Sequence, residues 1–421
     1  MLATSSSTTP NRSWFGGLAL SALCFALLSW AYANPPTTQP TRLTSTTAPS
    51  KQPFVSRRSV APQPLPTPPQ GYIPASPRQL TSQGVNGEAY FSPDGKKLIF
   101  QSYGRKEHAH TQIYILDLQS GKETRLTNHD GDDTCSYFHP DGKSILYAST
   151  VDEVKESYHF RFFAPSWVAK HRAQREQAAK SQKWGKKSRA KHKRTYTWVY
   201  KPYEIYLADL DGKNPRRLTH ANGYDAEGTY STDGKHIIFS SHRDGDQELY
   251  LMNADGTAQR RLTWRKGNDG GPFLSPSGKA VTWRSFDAKG NSQIFVADLQ
   301  DATLRNIRQL TFKSGIHWAP FWHPSEKWVL FSANSDDRKN FELYLVNTEG
   351  TCLKRLTYSH AQDVLPVFSP DGKQIAFTAR KGRYSQLYIM PFVMPNHCED
   401  PRPHRTSQSL LHFPPPPPQK H

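Results

Sequence analysis

Residues 225–263 read DAEGTYSTDGKHIIFSSHRDGDQELYLMNADGTAQRRLT. At 231–234, Ser-Thr-Asp-Gly offers residues that a tight turn prefers or readily accepts at its four positions. The segments flanking it, and a third at 248–254, are bounded by Gly and Asp clusters and carry the Ile, Leu, Phe and Tyr of strands. Arg261-Leu262-Thr263 adds a short fourth strand.

This unit recurs, and the recurrence decides the fold. The tripeptide R/Q-L-T ends at Thr81, Thr127, Thr219, Thr263, Thr311 and Thr357; four of the gaps are 44–48 residues and one is 92. The turn motif follows in phase: SPDG at 92–95, HPDG at 139–142, STDG at 231–234, SPSG at 275–278, HPSE at 323–326 and SPDG at 369–372. Its Asp becomes Ser277 and Ser325, and its Pro becomes Thr232, changes that a turn tolerates and a catalytic group would not. His139 and His323 stand where the turn serine stands elsewhere and are read as structural replacements. Four strands at a period of about 40–50 residues is the pattern of a propeller blade. The chain is therefore predicted to be all-β, a six-bladed β-propeller of four-stranded antiparallel blades over 78–395. The sixth unit stops after its third strand, while Pro77–Thr81 is a fourth strand without a blade. Pairing that N-terminal strand with residues 385–392 would close the ring and remove an exposed sheet edge.

The rest of the chain is of other kinds. Arg12 precedes the apolar run LALSALCFALLSWAYA, which ends in an A-x-A site, so 1–33 reads as a signal peptide with export to the periplasm or beyond. An uncleaved segment would instead be a signal anchor in the inner membrane; after cleavage no window approaches the ~20 apolar residues of a span. Leu23 before Cys24 argues against lipoprotein processing. Residues 34–77 form a Pro/Thr-rich linker and 396–421 a Pro-rich tail; both are expected to be disordered, because they hold too little apolar area to offset chain entropy. Cys135, Cys352 and Cys398 remain after cleavage, an odd count at irregular spacing that gives no disulfide framework and no C-x-x-C site.

The pattern S-P-D-G-K-x-I-x-F-x-S, then L-Y-x-x-N-x-D-G-T, then R-L-T resembles the β-propeller repeat of TolB-type periplasmic proteins. The resemblance covers about 78–395 and implies a propeller of the cell envelope that acts by binding. TolB itself carries a folded α/β domain before its propeller, where this sequence has only 34–77. Propeller peptidases append a hydrolase domain, and no G-x-S-x-G elbow occurs in this sequence.

The first strand of each blade lines a propeller's channel, and strand side chains alternate. Six residues before each turn stand Asn86, Asp133, Asp225, Asp269, His317 and Asp363; four before stand Glu88, Cys135, Glu227, Gly271, Ala319 and Leu365. The first set, with Glu88 and Glu227, forms a candidate ligand-binding ring at one channel mouth. Converging carboxylates are eased by a cation, so Ca2+ on Asp133, Asp225, Asp269 and Asp363 is the metal reading, with a transition metal on His317 and Cys135 a weaker one. A solvated channel mouth needs no ligand at all. Asp130-Gly131-Asp132-Asp133 and Asp244-Gly245-Asp246 lack calcium-loop spacing and read as turns.

The net charge is +18, and residues 154–201 supply +12 of it with 14 Lys/Arg against 2 Glu. They form an insertion after the second strand of blade two, in a connection where insertions are tolerated. Lys183, Lys186, Lys187, Arg189, Lys191, Lys193 and Arg194, with aromatics on both sides, suit an anionic surface such as an acidic cell-wall polymer or lipid; a solvated loop is the alternative. Export argues against nucleic acid. The sequence thus favours a monomeric protein- or ligand-binding scaffold, with an envelope protein or acidic surface as partner, over an enzyme. The competing class is a metal-assisted lyase on acidic polysaccharide, with His317, Asp269 and Asp363 at its centre.

Overall fold

The computed structural model describes residues 76–152, 201–221, 223–382, 384–396 and 398. Within them, 24 strands form six four-stranded antiparallel sheets. Five sheets are consecutive runs of four strands. The sixth joins Arg78–Gln79 to Tyr384–Pro391, with Arg78 opposite Ile389 and Gln79 opposite Tyr388, which closes the ring as predicted. Among the described residues no helix is long and apolar enough to cross a membrane.

Each blade is built on one aromatic pair. Phe100, Tyr147, Phe239, Trp283, Phe331 and Phe377 on the second strands lie opposite Tyr114, Tyr206, Tyr250, Phe295, Tyr344 and Tyr388 on the third. Their ring centroids are 5.6–5.9 Å apart in all six blades. Such pairs contribute about 0.5–1.5 kcal/mol each beyond the area they bury. The six second-strand rings are at most 2% exposed.

Antiparallel alternation sorts the connections onto two faces. The turns from first to second strand lie on one, the turn face. There the Gly95 amide donates to the Ser92 carbonyl at 2.8 Å, and Ser92 Oγ accepts from the Lys97 amide at 2.9 Å. Gly95, Gly142, Gly234, Gly278 and Gly372 all take φ of 70–73°, the left-handed third residue of a four-residue connection, as at 93–96 between Ser92 and Lys97. Blade five has Glu326 there instead, at φ 58°, and its carboxylate accepts from Ser277 Oγ at 2.9 Å in blade four. His139 and His323 keep the structural role expected of them: each packs edge-on against an aromatic ring of the next blade, Tyr230 at 4.7 Å and Phe368 at 4.8 Å.

On the opposite loop face, R/Q-L-T forms a latch repeated in all six blades. The Thr Oγ1 accepts an amide near the start of the third strand: Ile113, Ile205, Leu249, Ile294, Leu343 and, for Thr81, Leu387, at 2.9–3.0 Å. The Arg or Gln two residues earlier folds back to donate to that Thr's carbonyl, at 2.6–2.9 Å. The insertion of blade two opens on this face: the second strand Ser144–Ser149 pairs with the third, Glu204–Asp209, and the chain between leaves at Asp152 and returns at Lys201. Asp132 pairs with Lys201, and Asp152 with Tyr206 and with Arg217 at 3.2 Å, which holds both ends of the connection. Lys183, Lys186, Lys187, Arg189, Lys191, Lys193 and Arg194 lie outside the described residues.

Cysteine spacing misled in one respect. Cys352 and Cys398 are disulfide-bonded, with Cα atoms 5.2 Å apart, and Cys135 is free and buried. Spacing could not show this, because Cys398 lies beyond the last strand and reaches back to blade five. Phe392 packs on Phe368 at 4.9 Å and guides the chain along that path.

Two outcomes follow. Thr219→Val removes the acceptor of the buried Ile205 amide at constant shape and is expected to cost about 1–3 kcal/mol. A urea midpoint that does not fall would remove the latch from the account. The bridge spans 46 residues, for which chain entropy gives about 4 kcal/mol. Calorimetry with and without reductant should show Tm falling by roughly 5–10 °C, with Cys398→Ser reproducing the shift.

Candidate functional site: the central channel and blade interfaces

Positions six and four before the turn do not share a face. In every inner strand two residues oppose one on the second strand, as between Ala226 and Thr229, a β-bulge. Its first residue is left-handed in all six blades: Glu88, Cys135, Glu227, Gly271, Ala319 and Leu365 have φ of 49–59°. The bulge cancels the alternation from which one ring was expected and separates two sets of side chains.

The set four back lines the channel. Glu88, Cys135, Glu227, Gly271, Ala319 and Leu365 surround it, and Tyr90, Thr229 and Phe273, two before the turn, floor it. Below the ring, Tyr90, Tyr137, Phe273 and Phe321 close on one another at 5.0–6.4 Å between centroids. Arg284 enters from the second strand of blade four, where the other blades carry Gln101, Ala148, Ser240, Ser332 and Thr378. It is 2% exposed and pairs with Glu227 at 2.7 Å. A Cβ on Gly271 would stand 2.3 Å from its guanidinium, so glycine there is what admits the arginine. Glu227 also accepts from Ser240 Oγ at 2.7 Å, Gln247 Nε2 at 3.0 Å and the Gly271 amide at 2.8 Å. The space left is about 20 Å3, room for roughly one water. Burial, then repulsion from Glu227, raises the Glu88 carboxyl to about 7. Burial also raises the thiol of Cys135, whose Sγ lies 3.5 Å from Glu88.

The set six back is buried at the blade interfaces, and none of it lines the channel cavity. Asn86 donates to Thr81 Oγ1 at 3.0 Å and Gln386 Oε1 at 2.8 Å. Asp133 faces His129 at 3.2 Å, Asp225 binds Ser241 at 2.5 Å and Arg243 at 2.7 Å, and Asp269 stands 3.8 Å from Arg265. His317 Nδ1 meets the Ser292 carbonyl at 2.8 Å. Asp363 lies against Glu342 and Thr357, and burial, then Glu342, raises it well above the usual range. Among the described residues no three His, Cys, Asp or Glu side chains are gathered as a metal ion would require. The two calcium-like loops are occupied as turns: Asp132 accepts the Thr111 amide at 2.9 Å, and Asp244 pairs with Arg261 at 3.1 Å.

Three interfaces place two carboxyl groups together. Burial, with a smaller push from Asp225, raises Glu204 to about 7; burial, then Asp269, raises Glu248 to about 8. Burial holds Asp269 itself at about 6, and Glu342 with Asp363 is the third pair. Arg217, Arg261 and Arg355 of the R-L-T latches neutralise the glutamates at 2.7, 2.7 and 3.1 Å. Sequence reasoning missed Arg284 and these pairs. The opposed Gly270-Gly271 and Arg284 were the available signal for the first.

Against known proteins, the profile of the TolB beta propeller domain matches residues 76–162, 200–273 and 270–397. A curated relative, the TolB homolog of Chlorobium luteolum, is 29% identical over 101 residues, covering 24% of this chain. The chain matches only 22% of that relative's length. Among solved structures, the putative TolB of Agrobacterium tumefaciens is 19% identical with a TM-score of 0.48, covering 74% of this chain and 91% of that one. TolB of Acinetobacter baumannii is 18% identical with a TM-score of 0.48, covering 76% and 64%.

The raised carboxyls set a pH dependence. Glu88, Glu204, Glu248 and Asp269 rise from 4.5 or 3.8 to between about 6 and about 8. A raised group contributes stability that is complete below its unfolded value and lost as pH climbs through its folded one. Tm is therefore expected to fall between pH 5 and pH 8.5. The double variant Glu204→Gln, Glu248→Gln should flatten the decline; a profile as steep as that of the unaltered protein would refute the assignment.

Proposed function

The chain belongs to the TolB β-propeller domain family, and on that premise we propose that it is an exported binding scaffold of the cell envelope, recognising a partner protein across its loop face. The observation that carries this reading is the closed channel. Four aromatic rings and the Glu227–Arg284 pair leave about 20 Å3 at the axis, too little for a substrate. Recognition then falls to the faces. On the turn face the connections from first to second strand are short and nearly uniform, and the departure is the longer hairpin of blade four, Ser292–Gln300 with Thr303–Gln309. The loop face varies: blade six joins its second and third strands by a tight turn with Lys381 opposite Tyr384, and blade two carries residues 150–203 at the same place. Loops of varied length on a rigid scaffold are where binding residues concentrate.

Export is supported by the leader-like segment 1–33 and by the Cys352–Cys398 bridge, which suits an oxidising compartment. The basic insertion, rooted on the loop face, would add attraction to an anionic envelope surface.

The test expresses the full chain with a photo-crosslinking residue at Lys289 or Asp337 on the loop face, or at Lys235 on the turn face. Osmotic shock should release a protein beginning at Asn34, and a discrete envelope-protein adduct should form from the loop-face positions only. Retention of the whole chain in the cytoplasm, or equal adducts from Lys235, would defeat the proposal. So would release of unsaturated products from polygalacturonate with Ca2+ or Mn2+.

A further inference from the structure

A cleft of about 780 Å3 opens on the loop face between blades five and six, within the range of about 300–1,000 Å3 usual for ligand pockets. Its origin is a missing loop. In blades one and three the connection from second to third strand sends an arginine back over the third-strand tyrosine: Arg105 lies 4.1 Å from the Tyr114 ring and Arg243 4.6 Å from that of Tyr250. Arg243 goes on to neutralise Asp225. Blade six replaces this loop with a tight turn, so the space beside it stays open.

The charges lining the cleft are unevenly satisfied. Two of its acids, Asp336 and Glu342, are paired with cations. Asp336 accepts from Tyr344 Oη at 2.6 Å and pairs with Lys313 at 3.2 Å and Arg355 at 3.3 Å. Glu342 receives Thr357 Oγ1 at 2.6 Å, the Ser359 amide at 2.9 Å, Asn340 Nδ2 at 3.0 Å and Arg355 at 3.1 Å. Asp337 accepts the Lys339 amide at 2.9 Å. The cations Arg380, Lys339 and Lys381 have no carboxylate partner among the described residues. Arg380 is half-buried and donates Nε to the Gly382 carbonyl at 2.9 Å, which leaves the terminal nitrogens of its fork for another acceptor. It occupies the position filled by Tyr103, Thr150, His242, Phe286 and Asn334 in the other blades. Burial without a counter-charge lowers its pKa, consistent with a guanidinium short of an anion.

Two features narrow the ligand. A planar guanidinium fork matches a carboxylate in two parallel hydrogen bonds. Tyr384, opposite Lys381 at the tight turn, is 67% exposed. Tyrosine and arginine are both residue types enriched at protein–protein interfaces.

We propose that the cleft between blades five and six binds an extended acidic segment of a partner protein, with Arg380 holding a carboxylate and Lys339 and Lys381 at the rim. This rests on the scaffold reading above, and it names a contact region and a chemistry within that reading.

The experiment measures fluorescence anisotropy of a fluorescein-labelled tetraglutamate peptide on the full-length protein at 150 mM NaCl. The basic insertion contributes equally to every protein compared, so the ratio between variants is the readout. Arg380→Gln is expected to weaken binding at least about tenfold, and Lys339→Gln or Lys381→Gln about two- to threefold each. Arg380→Lys should recover only part of the loss, because a point charge replaces the fork. Unlabelled glutarate that competes as well as the peptide would identify a free small acid as the ligand and overturn the peptide assignment. Arg380→Gln that binds like the unaltered protein at unchanged Tm would overturn the site, as would equal binding of a tetraglutamine probe. That failure would leave loop-face crosslinking untouched, whereas lost crosslinking with intact peptide binding would count against the scaffold reading alone.

Discussion

Every inner strand of this ring carries one residue more than its neighbour can pair, and the rest of the molecule is arranged around that excess. The extra residue is forced into the left-handed region, at a cost of order 1 kcal/mol wherever it is not glycine. In three blades the amide of that residue finds its acceptor on the adjacent blade. Gln101 Oε1 accepts from the Cys135 amide at 3.1 Å, Glu227 from Gly271 at 2.8 Å and Ser332 Oγ from Leu365 at 3.1 Å. A local defect in pairing thereby keys blade to blade, and strain in one strand is held by hydrogen bonds from the next.

The same bulge divides the polar residues between two environments. Those at the axis meet across the channel, where Glu227 and Arg284 neutralise each other and Glu88 is driven towards its protonated form. Those one step earlier are sealed between blades, each with its own partners. The interface composition is correlated within the chain. Where the residue before the latched amide is Glu204, Glu248 or Glu342, the latch supplies Arg217, Arg261 or Arg355; where it is Gln293 or Gln386, the latch supplies Gln309 or Gln79. Charge is introduced with its counter-charge or not at all, as burial requires. Blade one is the exception: Arg125 donates to the neutral Gln112 at 3.1 Å.

The architecture was legible because it is written six times. Turn motif, strand lengths, blade count and ring closure follow from a period that one copy could not have revealed. Channel geometry was not legible, because Glu, Cys, Glu, Gly, Ala and Leu share no property that announces a left-handed backbone. Only register against the second strand exposes it. Counting back from the turn assumed unbroken alternation, and a single extra residue sent Asp133, Asp225, Asp269, His317 and Asp363 into the interfaces. The disulfide was hidden for a related reason: its partners are brought together by packing beyond the last strand, not by spacing. Arg284 opposite two glycines was visible, but it gained meaning only once the channel was known to be narrow.

Sixfold repetition also defines what counts as a departure. Turns, aromatic pairs and latches recur with distances that agree to a few tenths of an ångström, so they serve closure and stability. Features present in one blade alone need another reason. Arg284 is one, and its reason is structural, since it closes the axis. The insertion of blade two and the tight turn of blade six with Arg380 are others, and both lie on the loop face. With the axis filled and the first-to-second-strand turns alike, the largest differences in connection length fall on the loop face. There a lengthened connection and a missing one change shape and charge without disturbing the interfaces beneath.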